Sequence, residues 1–406
     1  MGFAVELMTN RIRAYAWGSR TAIAELLGEP APSAHPQAEL WVGAHPADPS
    51  QLQTDVGTVS LADRIAADPE SQLGTRVAAE FGSKLPFLLK VLAAAEPLSL
   101  QAHPSADQAR TGFAQEEAAG IPLASGHRNY KDASHKPELI CALTEFHALC
   151  GFRDPEQTVA LLSELDIPGL NRYLTLLAGQ PDAHGTRALF SSMITMPPVA
   201  LVPLLDSVLA ACVDRVRAGS EFSTEYRTAL DLGERYQGDP GVLAALLLNR
   251  VTLRPGQALY LGAGNLHAYL SGFGVEIMAN SDNVLRGGLT PKHVDVPELM
   301  RVLDFAVGPV PVIDPVAGGP GVSRYPSPAA EFSLCRVEPS GVDGGILLEH
   351  AGPSVVLVVD KQLRLSDSAG HRLTVPRGRS VWIPADEIGI RVWGDGIGFL
   401  ATDGLC

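Results

Sequence analysis

Gln101 and His103 stand two residues apart at the end of the run PLSLQAH and offer an amide oxygen and an imidazole. On an extended backbone such residues point to one face, so both side chains can reach a single ion. Imidazole is the commonest protein ligand for a first-row metal, and a glutamine carbonyl adds a neutral oxygen donor. Alone, the pair is equally what a solvated strand edge would show. A second group sits in SHKPELICAL, residues 134–143, where His135, Lys136 and Glu138 bring together a titratable base, an ammonium and a carboxylate. Glu138 opens an apolar run that should be buried, and a carboxylate there is costly unless it is paired or bound to a cation. The third stretch, LHAYLSGFGVEIMANSDNVLRGGLTPKHVDV at 266–296, holds His267, Glu276, Arg286 and Lys292. His267 follows a Gly-x-Gly turn, and Arg286 precedes Gly287-Gly288, whose open backbone beside a guanidinium suits a phosphate or oxyanion. Taken together, two histidines, a carboxylate and a glutamine make a mixed nitrogen and oxygen set. Such a set suits Zn²⁺ with an open coordination position, whereas a closed structural zinc would want cysteines. Cationic residues of these stretches, Lys136, Arg286 and Lys292, together with Lys90 upstream, point to a hydroxylated, phosphorylated ligand.

These residues need strands to hold them, and the chain has the texture for it. Residues 1–151 mix short β-type runs with Pro- and Gly-rich turns; PFLLKVLAAAEPLSLQAHPS and PELICALTEFHALCGF are the clearest strand pieces. Residues 152–250 change to Leu- and Ala-rich stretches with apolar positions at helical spacing, as in VALLSEL and LVPLLDSVLAACVDRVRAG. Asp239-Pro240 is a start signal for the last helix of that group. Strand texture returns over 251–309, with VTLRPGQALYLGAGNLHAYL and GVEIMANS. A linker rich in Pro and Gly follows. The tail, 310–406, is a series of short strands (ILLEH, SVVLVVD, LRLSD, SVWIPAD, GIRVWG) that suggests a small β-sandwich or barrel. The plan is a discontinuous β core (1–151 and 251–309), a helical insertion (152–250) and a separate β tail.

Composition narrows the partners. With 406 residues the chain is expected to form two or three domains, and its net charge of −14 disfavours nucleic acid and anionic membrane surfaces. The N-terminus lacks the layout of a signal peptide, and no apolar run approaches the length of a membrane span. Five scattered cysteines, Cys141, Cys150, Cys212, Cys335 and Cys406, form no metal or redox spacing and read as free thiols of a cytoplasmic protein.

The strings LPFLLKVLAAAEPLSLQAHPS, NYKDASHKPELICAL and HAYLSGFGVEIMANSDNVLRGGLTPKHVDV, with YAWGS at 15–19 and AELWVGAHP at 38–46, resemble the signatures of type I mannose-6-phosphate isomerases. The resemblance runs in order across residues 15–296; the tail is matched only in texture and position. It implies a mainly β fold with an α insertion: a cupin-type β-barrel catalytic core, an all-helical insertion and a second, cupin-like C-terminal β domain. It also implies one Zn²⁺ per chain at Gln101, His103, Glu138 and His267. The reaction implied is interconversion of mannose 6-phosphate and fructose 6-phosphate, in the supply of GDP-mannose. Arg286 corresponds to the catalytic arginine of the family. Ser99, Lys90, Lys136, Glu276 and Lys292 correspond to pocket residues that bind the sugar phosphate or move protons, and Trp17 is placed with the substrate-binding group. Two loops depart from the usual pattern: NLHAYL has Leu before the histidine where many relatives have Pro, and NYKDASHKPE has Lys-Asp-Ala where Pro-Asp is common. Neither touches a ligand position, so loop shape rather than chemistry is expected to change.

Aldose–ketose isomerisation moves a proton between C1 and C2 through an enediol(ate). Lys136 and Glu276 both qualify as the base, Lys136 first, while His135 is a candidate for opening the pyranose ring. Arg286 would stabilise developing oxyanion charge, and Ser99, Lys90 and Lys292 would hold the phosphate. Competing readings are an iron-dependent cupin oxygenase and a sugar-phosphate sensor without turnover. The first does not call for four cations, and the second would be expected to lose Arg286, Lys136 or a ligand. The expected protein is a monomer with a sugar-phosphate substrate and no obligate protein partner.

Overall fold

A computed structural model describes residues 5–54, 57–348 and 352–405. Its organising element is the strand His267–Ala279, 13 residues long and buried over most of its length. Phe87–Ala94 runs antiparallel to its second half, with Glu276 opposite Lys90. Glu138–Ala142 lies on the other side of that same half. The first half pairs with Phe146–Phe152, and at His267 also with Gln101 of Leu100–Ala102. One strand therefore carries the third motif and meets the other two. Phe87–Ala94 is buried at every position, which explains its near-continuous apolar sequence and makes its single lysine conspicuous.

Outward from the long strand the ladder continues through Phe87–Ala94 to Glu39–Gly43 and Arg11–Arg13, and through Phe146–Phe152 to Leu248–Leu253. Ala258–Leu261 with Glu138–Ala142, and Leu285–Gly288 with Leu100–Ala102, branch off it. The mainly β class with an α insertion is as expected. Among the described residues the hydrogen bonds form a branched ladder on this strand rather than one ring.

Between the strands Phe146–Phe152 and Leu248–Leu253 the chain is helical, from Pro155–Glu164 to Gly241–Ala245, so the expected insertion 152–250 gives up its ends to those strands. Asp154, ahead of Pro155, and Asp182 cap their helices through side-chain oxygens that accept backbone N–H groups, and Gly219 ends Pro198–Ala218 in the left-handed conformation. Asp239 does two jobs: one carboxylate oxygen accepts the Gly241 N–H and the other accepts Thr290 N–H, tying the insertion to the stretch after Arg286.

Two expectations change. The first part of the chain, read as strands and turns, also carries the helices Ala22–Leu27, Leu61–Ala67, Pro69–Phe81 and Ala106–Ala118. The last begins with a complete Ser105/Gln108 capping box followed by strong helix formers, a local signal that outweighs the surrounding turn residues. Second, the strands of the tail do not stand apart. A nine-stranded sheet runs from Val316–Ala317 through Ser380–Ile383 and continues into Glu6–Thr9, Gln51–Thr54 and Gly57–Ser60 of the N-terminal region. Glu6 lies opposite Trp382, and one apolar cluster holds Met8, Leu40, Leu89, Cys141 and Val275 together with Tyr325, Leu357 and Trp382. Burying this shared apolar face is what draws the N-terminal strands into the sheet of the tail. A second sheet of four strands, including Gln362–Ser366 and Arg391–Gly394, packs a separate cluster around Val356, Val381, Leu363 and Val392. Of ILLEH, Ile346–Leu347 is a strand, while Glu349 and His350 lie outside the described residues, as does Cys406. Cys141, Cys150, Cys212 and Cys335 are free thiols, and no single described helix is long and apolar enough to cross a membrane.

Candidate metal centre

The long strand and its neighbours deliver three polar side chains to one buried point. His103 is 0% exposed, His267 1% and Glu138 2%. His103 Nε2 lies 3.3 Å from Glu138 Oε1, and His267 Nε2 lies 3.5 Å from Glu138 Oε2. One ligand atom from each falls within 4.8 Å of the others. His103 Nε2, His267 Nε2 and Glu138 Oε2 are buried without a hydrogen-bond partner. Three orphaned acceptor-capable atoms facing one another are costly unless a cation joins them. The histidine rings are fixed from behind: Nδ1 of His103 meets the Asn283 carbonyl at 2.7 Å, and Nδ1 of His267 meets the Asn265 carbonyl at 3.0 Å. A proton held on each Nδ1 leaves each Nε2 lone pair turned to the centre, the usual way a metal-binding imidazole is oriented. The His103 carbonyl in turn accepts Gly264 N–H from the turn before His267.

Gln101 enters by register, directly opposite both His267 and Arg286 on the flanking strands. The donor set, two imidazoles and a carboxylate with Gln101 at the neighbouring register position, fits a borderline cation such as Zn²⁺. Burial alone would raise the Glu138 carboxyl, but Lys136 and then His103 outweigh it and hold it well below the usual carboxylate range. Burial pushes the His103 imidazole down to about 4, keeping it in the neutral, ligating form.

Lys136 extends from the segment before Glu138, its Nζ 3.0 Å from Glu138 Oε1. Arg286 is half-buried, and one of its terminal N–H groups donates to Ser99 Oγ at 2.9 Å. Lys292 is exposed, and its ammonium is lowered first by the charge of Arg286 and then by burial, so the two cations share a rim. Trp17 is half-buried, stacked on Tyr15 at 5.7 Å between ring centroids. Its carbonyl takes the N–H groups of Ala95 and Glu96 in the turn leading to Ser99.

Lys90 departs from its expected place at the phosphate. Its Nζ sits 3.2 Å from Glu276 and 3.6 Å from Glu39, with only 8% of the side chain exposed. The register that puts it opposite Glu276 on a strand buried on both faces leaves it no route to the rim. Burial would lower its ammonium, yet Glu39 and Glu276 prevail and raise it. Both Glu276 oxygens are also engaged, since Tyr269 donates its hydroxyl to Oε1 at 2.8 Å. Gly287-Gly288 likewise serves packing rather than an open anion site. Gly288 has φ +120°, and a Cβ there would lie 2.8 Å from the Gly241 Cα of the helical insertion.

The sequence reading missed several supports. Asn283, fully buried, accepts Lys131 N–H and donates to the Asp132 and Ser134 carbonyls, so it braces the loop that carries His135 and Lys136. Its only sequence signal is the dense NSDN run. Glu39 gives no local signal, because Lys90 reaches it from another strand; Tyr269 and Asn265 lie in the same stretch as their partners Glu276 and His267 but carry no motif that marks them.

Residues 5–155 match the family model described as phosphomannose isomerase type I, catalytic domain. The chain is 40% identical to the mannose-6-phosphate isomerase of Escherichia coli (strain K12), over 97% of this chain and 98% of that one. Among solved structures, a Salmonella typhimurium mannose 6-phosphate isomerase bound to substrate and a zinc atom superposes with a TM-score of 0.90 at 36% identity, covering 99% and 100% of the two chains. A zinc-bound holo mannose 6-phosphate isomerase superposes with a TM-score of 0.88 at 37% identity over the same shares.

Proposed function

Since the chain belongs to the type I mannose-6-phosphate isomerase family, we propose that it interconverts D-mannose 6-phosphate and D-fructose 6-phosphate with one Zn²⁺ held by Gln101, His103, Glu138 and His267. The convergence of three orphaned, buried ligand atoms carries this reading, since only a bound cation satisfies them together. Zinc in such a site acts as a Lewis acid that favours negative charge on a neighbouring sugar oxygen.

The protein's own groups do the rest. His135 takes the proton from the O1 hydroxyl of the pyranose as the C1–O5 bond breaks and returns it to O5. The Lys136 amine takes the proton from C2 of the open aldose and delivers it to C1, while the O2 hydroxyl proton passes to O1; this leaves the ketose. Lys136 is favoured over Glu276 because it stands beside the metal ligands, whereas both Glu276 oxygens are held by Lys90 and Tyr269. Arg286, oriented by Ser99 and opposite Gln101, stabilises the enediolate oxygens in a half-buried setting where such help is strong. Lys292 at the rim binds the phosphate, and Trp17, whose carbonyl holds the turn leading to Ser99, belongs to the same substrate-binding group. Lys90 pairs with both Glu276 and Glu39 and holds them in place beneath the site.

The three-part division (1–151 with 251–309, 152–250, and 310–406) belongs to the same proposal, with the N-terminal strands stitching core to tail. So do the monomeric state, the cytoplasmic location and a role in supplying mannose 6-phosphate for GDP-mannose. The test is a coupled assay with zinc analysis. Purified protein interconverts the two hexose phosphates, loses activity with chelator and regains it with Zn²⁺. Failure on every phosphorylated aldose with zinc still bound would sink the reading in favour of a sensor.

A further inference from the structure

His135, on the loop before Glu138, does not turn only toward the catalytic segment. Its Nε2 meets Oε1 of Glu331, a residue of the C-terminal β region 196 positions along the chain, at 2.5 Å. Glu331 is held firmly. Phe332 beside it is 1% exposed in the cluster shared by core and tail, and Ser333–Val337 follows at once as a strand paired with Ile397–Thr402. On its other side the Ala330 carbonyl accepts Gly404 N–H at 3.0 Å, from the end of the chain. The Glu331 side chain is 13% exposed, its Oε2 is buried without a hydrogen-bond partner, and partial burial and then the Glu331 charge raise the half-buried Tyr260 hydroxyl. Burial would raise the Glu331 carboxyl as well, but the hydrogen bond and charge of His135 outweigh it and lower it. Among the described residues His135 is the one side chain hydrogen-bonded to this carboxylate.

We propose that Glu331 is a positioning residue for His135, contributed to the active site by the C-terminal β region. A carboxylate on Nε2 keeps a proton on that nitrogen, so Nδ1 is left as the basic nitrogen that exchanges a proton with the sugar. The same contact fixes the ring at the end of an otherwise exposed loop. The tail thus has a functional part: it supplies the partner that makes His135 a directed base, comparable to a carboxylate orienting a histidine in a catalytic triad. Like the ring-opening step itself, this rests on the proposed isomerase activity.

The test uses the full-length, zinc-loaded protein and Glu331→Gln, with Glu331→Asp as the conservative variant. Glu331→Gln is expected to lower kcat/KM on mannose 6-phosphate about tenfold with zinc content unchanged. Because ring opening then limits turnover, the kinetic isotope effect with substrate deuterated at C2 should shrink toward unity, and Glu331→Asp should restore both in large part. A purely structural role would lower activity without moving the isotope effect, and that result overturns the proposal. So does an additive loss when Glu331→Gln is combined with His135→Gln, since a residue acting through His135 has nothing left to act on. Should the protein fail to turn over any hexose phosphate, the isomerase reading fails separately. Nitrogen NMR of the His135 ring then still reports on the contact: an unchanged tautomer in Glu331→Gln overturns it, and a shift from the Nε2–H form upholds it.

Discussion

The floor and the rim of the site are built on different physics. On the floor, Glu138, His103, His267, Glu276 and Lys90 are all less than a tenth exposed and, apart from His103 just beyond its strand, lie on strands that pair with or border Glu138–Ala142 and His267–Ala279. Every charge there has a partner at hydrogen-bond or ion-pair distance, and the few unpaired atoms converge on one point. On the rim, Arg286, Lys292, Ser99 and His135 are half-buried or exposed and sit on strand ends and loops. Their charges are mostly uncompensated, which a phosphate or an anionic intermediate would exploit. Buried charges are expensive to leave alone, so the floor fixes structure and metal together; exposed cations are cheap, so the rim is free to serve the substrate.

Breaking the floor should therefore cost most. Glu138→Ala is expected to remove zinc and reduce turnover by about 10³-fold or more, checked by metal analysis beside the coupled assay. Lys90→Met should leave two buried carboxylates facing each other and destabilise the fold by about 3–5 kcal/mol in denaturant unfolding. Adding Glu39→Gln should recover part of that loss, and no recovery would mean that Lys90 matters through something other than charge pairing. Arg286→Ala lies on the border: kcat should fall by about 10²–10³-fold with zinc retained, because its help is needed only when oxyanion charge develops. If zinc left instead, Arg286 would belong to the floor. Farther out, Lys292→Ala should raise KM several-fold with kcat little changed, and the effect should fade at high salt, as expected of an exposed charge.

The smallest effect belongs to the Asp282–His45 pair, where the Asp282 carboxyl lies below its ordinary value chiefly through the hydrogen bond from His45. A depressed folded-state pKa gives stability that is present above the usual carboxylate range and lost as pH falls through the lowered value. Asp282 is 56% exposed, so Asp282→Asn should cost under about 1 kcal/mol near pH 6, and the cost should shrink as pH falls below the usual carboxylate range and vanish below the lowered value, by unfolding at each pH. A larger cost that persists in acid would place Asp282 with the floor.

Local chemistry made much of this legible in the sequence. His103 and Glu138 stood out as polar residues bordering apolar runs, and the helical insertion showed its period and the Asp239-Pro240 start of its last helix. Arg286 was legible beside its glycines, although for a reason that proved incomplete: Gly288 is there to admit the Gly241 backbone. Lys90 could not be placed, because nothing in FLLKVLAA says that Glu39 and Glu276 flank it from two neighbouring strands. Glu331 was invisible for the same reason, and Asn283 showed only as part of the NSDN run.

Residue types, spacing and hydrophobic pattern determined which groups this protein has for chemistry and which segments are strands or helices, since those follow from side-chain donors and local periodicity. The tertiary structure alone decided which of those groups meet. Register along His267–Ala279 set Gln101 against His267 and Lys90 against Glu276, and the shared apolar core brought Glu331 of the tail to His135. Strand pairing and core burial join positions hundreds of residues apart, and no local pattern encodes that choice.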